Sequence, residues 1–173
     1  PEERARGISI ELGYAQLDLP SGRRLSVVDV PGHERFVRTM VAGASGIDLF
    51  LLVVDAREGP RAQTAEHLEV LRLLGVSRGV VAVTKVDAVA AAARTDVSGL
   101  VPGAEIVPVS ARTGEGIDAL RAALDRVAVA CDGIAGSAAQ ADRPTRLYVD
   151  RVFSLPGAGT VATGTLWSGT IAV

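Results

Sequence analysis

Three short polar segments of the sequence carry groups that suit a phosphorylated ligand and a purine base. The first is Asp29-Val30-Pro31-Gly32-His33, which directly follows an apolar run. An aspartate at the end of a strand can hold Mg²⁺ through water, and a glycine, which has no Cβ, lets a backbone N–H approach a phosphate oxygen. The same residues also suit an ordinary strand-to-helix turn, so this segment taken alone leaves both interpretations open.

The second segment is Thr84-Lys85-Val86-Asp87, again after an apolar run. The carboxylate of Asp87 could accept two N–H hydrogen bonds from guanine. The stem of Lys85, the only lysine of the chain, could lie along the purine face. The alternative is that Asp87 caps the N-terminus of a following helix, and these four residues alone favour that simpler interpretation.

The third segment is Ser110-Ala111, where two small side chains would let backbone N–H groups reach a ligand carbonyl. It indicates almost nothing alone. The three segments together, in this order and each at the end of a predicted strand, are far more specific. Because ligands of doubly wound sheets bind at the carboxyl edge of the strands, the combination is typical of a guanine-nucleotide site.

Hydrophobic periodicity predicts the elements that would position these segments. Strands are predicted over Ile8–Leu19 and Leu25–Val30, which form a hairpin, and over Leu49–Val54, Gly79–Thr84 and Glu105–Val109. Helices are predicted over His33–Val41, Thr64–Leu74, Ala88–Ala93 and Ile117–Val129. The run Leu49–Val54 is wholly apolar, which predicts a strand buried on both faces. The alternation of strands and helices predicts an α/β fold in which helices cover both faces of a parallel sheet.

The pattern changes near residue 131. Residues 131–144 are rich in Ala, Gly and Ser, which predicts a linker. Strands are then predicted over Arg146–Leu155 and Thr160–Trp167, with a Pro- and Gly-containing turn between them. We therefore predict a nucleotide-binding domain over residues 1–130, a linker over 131–144, and the start of a second, β-barrel domain over 145–173.

Composition excludes several classes of protein. Hydrophobic residues make up 48% and charged residues 22% of the 173 residues, which favours a packed core over a disordered tail. A net charge of -2 and 3% aromatic residues argue against nucleic-acid binding through bulk charge or base stacking. The apolar run Leu49–Val54 is far too short for a membrane span. The single cysteine, Cys131, fits a reducing cytoplasm.

Together these motifs resemble those of the translational GTPases, the class that elongation factor Tu typifies. Asp29–Glu34 resembles the switch II motif of that class, histidine included, and Glu2–Ile10 resembles its effector loop. Further similarity runs through residues 43–48, 63–68, 150–155 and 159–166, the last two resembling the start of the second, β-barrel domain. Thr84 in place of the usual asparagine, and Glu34 after His33, are most similar to the selenocysteine-specific elongation factors within the class.

The resemblance implies a P-loop GTPase-like fold that binds GTP or GDP with Mg²⁺. Ser9 and Asp29 would bind the metal. The Gly32 amide would sense the γ-phosphate, and His33 would be the catalytic residue that positions the attacking water. The residues implied in nucleotide binding are Asp29, Pro31, Gly32, His33, Thr84, Lys85, Asp87, Ser110 and Ala111.

The resemblance also implies partners: aminoacyl-tRNA, specifically selenocysteinyl-tRNA, the ribosome, and an mRNA hairpin bound through a C-terminal extension beyond Val173. No membrane partner is implied, and the site of action would be the cytoplasm. Asp150 and Arg151 would contribute to the pocket for the aminoacyl group, where an arginine could pair with an ionised selenol. A strand-edge ion pair is an equally good interpretation of these two residues.

The sequence departs from the class in three ways. Ser9 stands where the class has threonine, which predicts weaker ordering of the GTP-bound loop, and Thr84 lacks the amide of asparagine. The 173 residues contain no Gly-x-x-x-x-Gly-Lys-Ser/Thr phosphate loop. In the class that loop lies upstream of the effector loop, after a strand that sits between those beginning at Leu25 and Leu49. We therefore expect a fragment, incomplete at both ends, that folds marginally and binds GTP poorly by itself.

Two other interpretations stay open. The chain could belong to another translational GTPase, of the elongation factor Tu or initiation factor γ type. It could also be a non-catalytic remnant that serves as a binding module. The joint presence of Asp29, His33, Lys85 and Asp87 favours a GTPase over a remnant.

Overall fold

The computed structural model describes residues 12–32, 39–41, 46–91, 94–131, 143–157 and 159–171. The strands are β1 (Gly13–Asp18), β2 (Arg24–Asp29), β3 (Phe50–Asp55), β4 (Gly79–Thr84), β5 (Glu105–Pro108), β6 (Arg146–Leu155) and β7 (Gly159–Ser168). The two long helices are α1 (Ala62–Leu73) and α2 (Ile117–Cys131), and Val86–Ala88 forms one 3₁₀ turn. None of the helices in these ranges combines the length and the apolar character that crossing a membrane requires.

A parallel sheet in the order β3–β4–β5 forms the centre of the fold. β4 pairs on both sides: Thr84 lies opposite Asp55 of β3, and Val83 lies opposite Pro108 of β5. Residues 79–83 of β4 are all buried, as an unbroken apolar sequence predicts for a central parallel strand. The three strands therefore end side by side, and the residues that follow them meet at one edge of the sheet.

The helices α1 and α2 cover opposite faces of this sheet. Leu71 of α1 packs in one buried cluster with Val81 of β4, whereas Leu124 of α2 packs in a second cluster with Val80. Successive side chains of a strand point to opposite faces, so adjacent residues of β4 divide between the two clusters. The predicted α/β architecture, with helices on both faces of a parallel sheet, is confirmed.

β1 and β2 form a separate antiparallel hairpin, as predicted. The backbone N–H and the hydroxyl of Ser21 in its turn donate to the carboxylate of Asp125 in α2, at 2.9 and 2.6 Å. Arg121 of α2 donates to the backbone carbonyl of Asp18 at 2.6 Å. These bonds fix the hairpin against α2. The first strand was predicted from Ile8, and residues 8–11 lie outside the described ranges.

The prediction that the third strand is buried on both faces is wrong. Phe50, Leu52 and Val54 are buried, but Leu51 is 40% and Val53 58% exposed. The reason is the position of α2, which contacts β4 and β5. Within the described residues, the face of β3 that carries Leu51 and Val53 is therefore left without a helical cover.

The predicted helix over Ala88–Ala93 is also wrong over its described residues, 88–91. The chain makes one 3₁₀ turn, Val86–Ala88, and Val89 is extended, with φ -141° and ψ 132°. Helix nucleation is costly, so a run of about six residues has little intrinsic helicity, and burial of Val86 at the start of the turn sets the local path instead. Of the predicted helix His33–Val41, residues 39–41 are helical and 33–38 lie outside the described ranges.

The strands β6 and β7, of ten residues each, form an antiparallel hairpin close to the predicted bounds. Its register shifts between Val149 and Arg151, and the rings of Tyr148 and Trp167 meet edge to face with centroids 5.8 Å apart. α2 ends at Cys131, two residues later than predicted. Most of the predicted linker, residues 132–142, lies outside the described part of the chain.

Replacing Gly116 by alanine should destabilise the fold more than the same change at Gly114. Both glycines have positive φ, +74° and +83°, a region that costs an alanine about 1–2 kcal/mol. A Cβ at Gly116 would in addition collide with the backbone carbonyl of Pro108 at the end of β5, whereas nothing lies within 4 Å of a Cβ at Gly114. We expect Gly116→Ala to lower the free energy of unfolding by about 3 kcal/mol or more, measured by urea denaturation. Equal losses for the two variants would show that the collision is relieved at no cost.

Candidate functional site

The carboxyl edge of the central sheet brings together five polar side chains. Asp55 ends β3, Lys85 and Asp87 follow β4, and Ser110 and Arg112 follow β5. They form two linked groups, the ion pair of Lys85 with Asp55 and the hydrogen-bonded set of Asp87, Ser110 and Arg112. Lys85, Asp87 and Ser110 are residues that the sequence predicts for the site, and the fold places them at one edge.

Lys85 has an unusual backbone conformation. With φ 59° and ψ 31° it is left-handed, and it is the sole non-glycine residue with positive φ among the described residues. This conformation costs a lysine about 1–2 kcal/mol, and such strain is concentrated at functional sites. The strained turn carries the side chain back toward β3, where its Nζ lies 2.7 Å from Oδ2 of Asp55.

Asp55 fixes the position of the lysine head group. Its carboxylate is mostly buried and accepts a second bond, from the backbone N–H of Arg57, at 2.8 Å. The hydrogen bond from Lys85, followed by that amide, lowers the pKa of Asp55, and the same pair raises the pKa of Lys85. The pair is therefore ionised, and it holds the lysine head group beside the end of β3.

Asp87 is the most strongly engaged acid of the site. The hydroxyl of Ser110, which is completely buried, donates to its Oδ1 at 2.5 Å. Nε and Nη2 of Arg112 donate to its Oδ2 at 2.7 and 2.6 Å. The hydrogen bond from Ser110, followed by that from Arg112, lowers the pKa of Asp87, so the carboxylate is ionised and fixed in orientation.

The turn after β5 holds Ser110 in place. Its backbone N–H donates to the carbonyl of Glu115 at 2.9 Å, and its hydroxyl accepts from the N–H of Thr113 at 3.2 Å. Thr84 has a comparable role between strands, because its hydroxyl donates to the carbonyl of Val54 at 3.3 Å. Ala111, in contrast, is exposed at the start of the turn.

The first predicted segment lies at the end of β2, outside the three-stranded sheet. Asp29 and Gly32 are exposed, and Pro31 is buried. A Cβ built on Gly32 would lie 3.8 Å from Cε1 of His67, so α1 runs beside this glycine. His67 is half-buried at that contact.

Two residues assigned to the metal and to catalysis, Ser9 and His33, lie outside the described ranges, and so does the side chain of Asp150. Arg151 lies in β6, opposite Thr163 of β7, and its side chain is exposed. In the part of the chain that the structure describes, no three His, Cys, Asp or Glu side chains form a metal cluster. An exposed carboxylate such as Asp29 nevertheless suits Mg²⁺, which keeps several waters and needs one or two protein ligands.

Two residues of the site, Asp55 and Arg112, are absent from the prediction. Asp55 could have been found, because it ends an apolar strand just as Asp29 does. Arg112 carries a weaker signal. It stands two residues after Ser110 in a turn rich in polar residues and glycine, and nothing in that spacing specifies Asp87 as its partner.

Comparison with known proteins gives a family match over residues 1–130 and relatives that match nearly the whole chain. The family profile described as the elongation factor Tu GTP binding domain matches residues 1–130. The selenocysteine-specific elongation factor of Desulfomicrobium baculatum is 47% identical over 98% of this chain and 27% of its own length. That of Escherichia coli (strain K12) is 40% identical over 100% of this chain and 28% of its own length.

Comparison with solved structures also finds a selenocysteine-specific elongation factor. A crystal structure of a bacterial selenocysteine-specific elongation factor, EF-Sec, superposes with a TM-score of 0.84 at 35% identity. It covers 98% of this chain and 30% of that one. The chain thus spans less than a third of the length of these relatives.

The engaged carboxylates should make folding stability fall in acid. The folded-state pKa of Asp87 lies below its ordinary value of 3.8, so its contribution is fully present above about pH 4 and is lost as the pH falls through the folded value. We expect Asp87→Asn to show a shallower loss of unfolding free energy between about pH 4 and about pH 2 than the parent. Urea denaturation at several pH values measures this slope. Glu66→Gln, an exposed carboxyl of α1, is the control, and an unchanged slope in Asp87→Asn would contradict the account.

Proposed function

The chain belongs to the elongation factor Tu GTP-binding domain family, and on that premise we propose that it is part of a GTP-hydrolysing elongation factor that delivers selenocysteinyl-tRNA to the ribosome. The observation that carries the proposal is the ionised carboxylate of Asp87, which Ser110 holds at the carboxyl edge of the sheet near Lys85. The ligands we assign are GTP and GDP with Mg²⁺. The compartment we assign is the cytoplasm, where translation takes place.

Asp87 is the group to which we assign selection of guanine. Guanine presents two adjacent donors, its ring N1–H and its exocyclic amino group, which match the two oxygens of a fixed carboxylate. Adenine presents an unprotonated ring nitrogen at the same position, which would face the carboxylate with lone pairs opposed. The lowered pKa supports this role, because a protonated acid would lose one of the two acceptors.

Lys85 and Ala111 complete the base site in this proposal. The ion pair with Asp55 keeps the lysine stem at the edge, where it can cover one face of the purine. The N–H of Ser110 is occupied by Glu115, so we assign the contact with guanine O6 to the amide of Ala111. Thr84 positions the edge through its bond to β3.

The residues at the end of β2 are assigned to the phosphates. Asp29, with Ser9, would hold Mg²⁺ through water, and bound Mg²⁺ neutralises charge on the phosphate oxygens. The exposed Gly32 offers an amide without a Cβ in the way, and the buried Pro31 anchors the chain before it. His33, directly after this glycine, would orient the attacking water. A neutral imidazole suffices because such chemistry depends on orientation and charge stabilisation.

We assign selenocysteinyl-tRNA as the cargo because of the names of the similar proteins and because of a charged residue on β6. The similar proteins of Desulfomicrobium baculatum and Escherichia coli are named selenocysteine-specific elongation factors. Arg151 presents an exposed cation on β6, suited to a selenol that is ionised at neutral pH, and Asp150 precedes it. We assign residues 1–130 to the nucleotide domain, 131–144 to a linker and 145–173 to the start of a β-barrel domain. Contact with an mRNA hairpin is assigned to a region beyond Val173.

Exchanging Asp87 for asparagine should change the base preference of the site. The amide can donate to the C2 carbonyl of xanthine but cannot accept both donors of guanine. In the protein at the full length of its relatives, we expect Asp87→Asn to weaken GDP binding by about ten- to a hundred-fold and to strengthen binding of xanthosine diphosphate. Calorimetric titration measures both, with Asp118→Asn in the first turn of α2 as control. Retention of the parental preference for GDP would refute the role of Asp87.

Removing Arg151 should weaken the preference for selenocysteinyl-tRNA over seryl-tRNA. A selenolate loses its cation, whereas a seryl hydroxyl has no charge to lose. We expect Arg151→Ala to reduce the preference by about two- to five-fold in ternary-complex assays with the full-length protein. Arg146→Ala, also exposed on β6, controls for loss of positive charge. An intact preference in Arg151→Ala would remove the residue from the pocket.

A further inference from the structure

We propose that Arg112 occupies the base-recognition carboxylate of Asp87 before a nucleotide binds and must leave it when guanine binds. By competing for this carboxylate, the arginine would lower the affinity of the site for guanine nucleotides. The inference rests on the proposed function, because it takes Asp87 to be the group that recognises the base.

The number of acceptor sites on Asp87 carries the argument. A carboxylate offers about four lone-pair sites, two on each oxygen. The hydroxyl of Ser110 uses one on Oδ1, and the two N–H groups of Arg112 use both on Oδ2, at 2.7 and 2.6 Å. Oδ2 therefore has no lone pair left to accept a further donor. Guanine brings two donors that need one oxygen each, so Oδ2 must first be released.

Arg112, and not Ser110, is the residue that can leave. Ser110 is completely buried and is held by Glu115 and Thr113 in the turn, so its hydroxyl cannot swing away without opening that turn. The side chain of Arg112 is 75% exposed, whereas that of Asp87 is 14% exposed. Rotation of the mostly exposed arginine into water breaks its bonds to Asp87. It exposes the Oδ2 face of a carboxylate whose other oxygen stays fixed.

The exposure of Arg112 sets how strongly it can compete with guanine for the carboxylate of Asp87. Exposed ion pairs contribute little, so displacement of Arg112 should reduce affinity by only about two- to five-fold. Salt screens the pair between guanidinium and carboxylate, whereas the neutral donors of guanine are affected much less. The competing effect should therefore fade as ionic strength rises.

The test uses the protein at the full length of its relatives, with GDP as the probe in calorimetric titrations. We expect Arg112→Ala and Arg112→Gln to bind GDP about two- to five-fold more tightly than the parent at about 0.05 M salt, with the ratio approaching one at about 0.5 M. Arg57→Ala is the matched control. It removes an exposed arginine from the same sheet edge, and loss of a cation there should leave binding of the anionic nucleotide unchanged or weaker.

Two results would overturn the inference, and they are distinguishable. If the parent binds GDP no better than ADP, the proposed function fails and the inference fails with it. If the parent selects GDP but both Arg112 variants bind it equally or more weakly, the proposed function stands and only the competing role of Arg112 is wrong. Circular dichroism of both variants confirms that they are folded, and the glutamine variant removes the charge while keeping a polar, uncharged side chain.

Discussion

The pairing of β4 with a parallel neighbour on each side is the constraint on which the site depends. Its five buried residues, from Gly79 to Val83, can lie only between two other strands and two layers of side chains. The register then aligns Thr84 with Asp55 and Val83 with Pro108. Because of this alignment, residues separated by up to 57 positions along the chain, Asp55 and Arg112, reach the same edge of the sheet. The chemistry at that edge is a consequence of how an apolar strand is buried.

The same placement of residues also sets the arrangement of charges at this edge of the sheet. Asp55 lies at the end of β3, and Asp87 follows the neighbouring strand β4. Asp55 pairs with Lys85, and Asp87 pairs with Arg112. The two ion pairs have different roles. Asp55 restrains a lysine whose stem can cover a purine, and Asp87 is left ionised with one oxygen fixed by a buried hydroxyl. The strained backbone of Lys85 is consistent with a position selected for ligand binding, since a glycine there would avoid the strain.

The strands of this edge are predicted well because a buried strand is written in the sequence as a run of apolar residues. The bounds of β4 agree with the prediction at both ends, and α2 begins at the predicted Ile117. Two kinds of feature were not predicted. The local sequence pattern predicted a helix from Ala88 and burial of β3 on both faces, and both predictions are wrong because both features depend on what packs against these segments. The partners of Asp55 and Asp87 escaped because ion pairs between distant segments depend on the three-dimensional path of the chain, and Lys85 gave no sign of its left-handed backbone.

A crystal structure of the protein at the full length of its relatives, with GDP bound, tests the central claim most directly. The account predicts the guanine ring at the carboxyl edge of the β3–β4–β5 sheet. Both carboxylate oxygens of Asp87 should lie within hydrogen-bond distance of N1 and the exocyclic amino group, and the stem of Lys85 should lie against the ring. A guanine bound elsewhere, or one at this edge that makes no contact with Asp87, would contradict it.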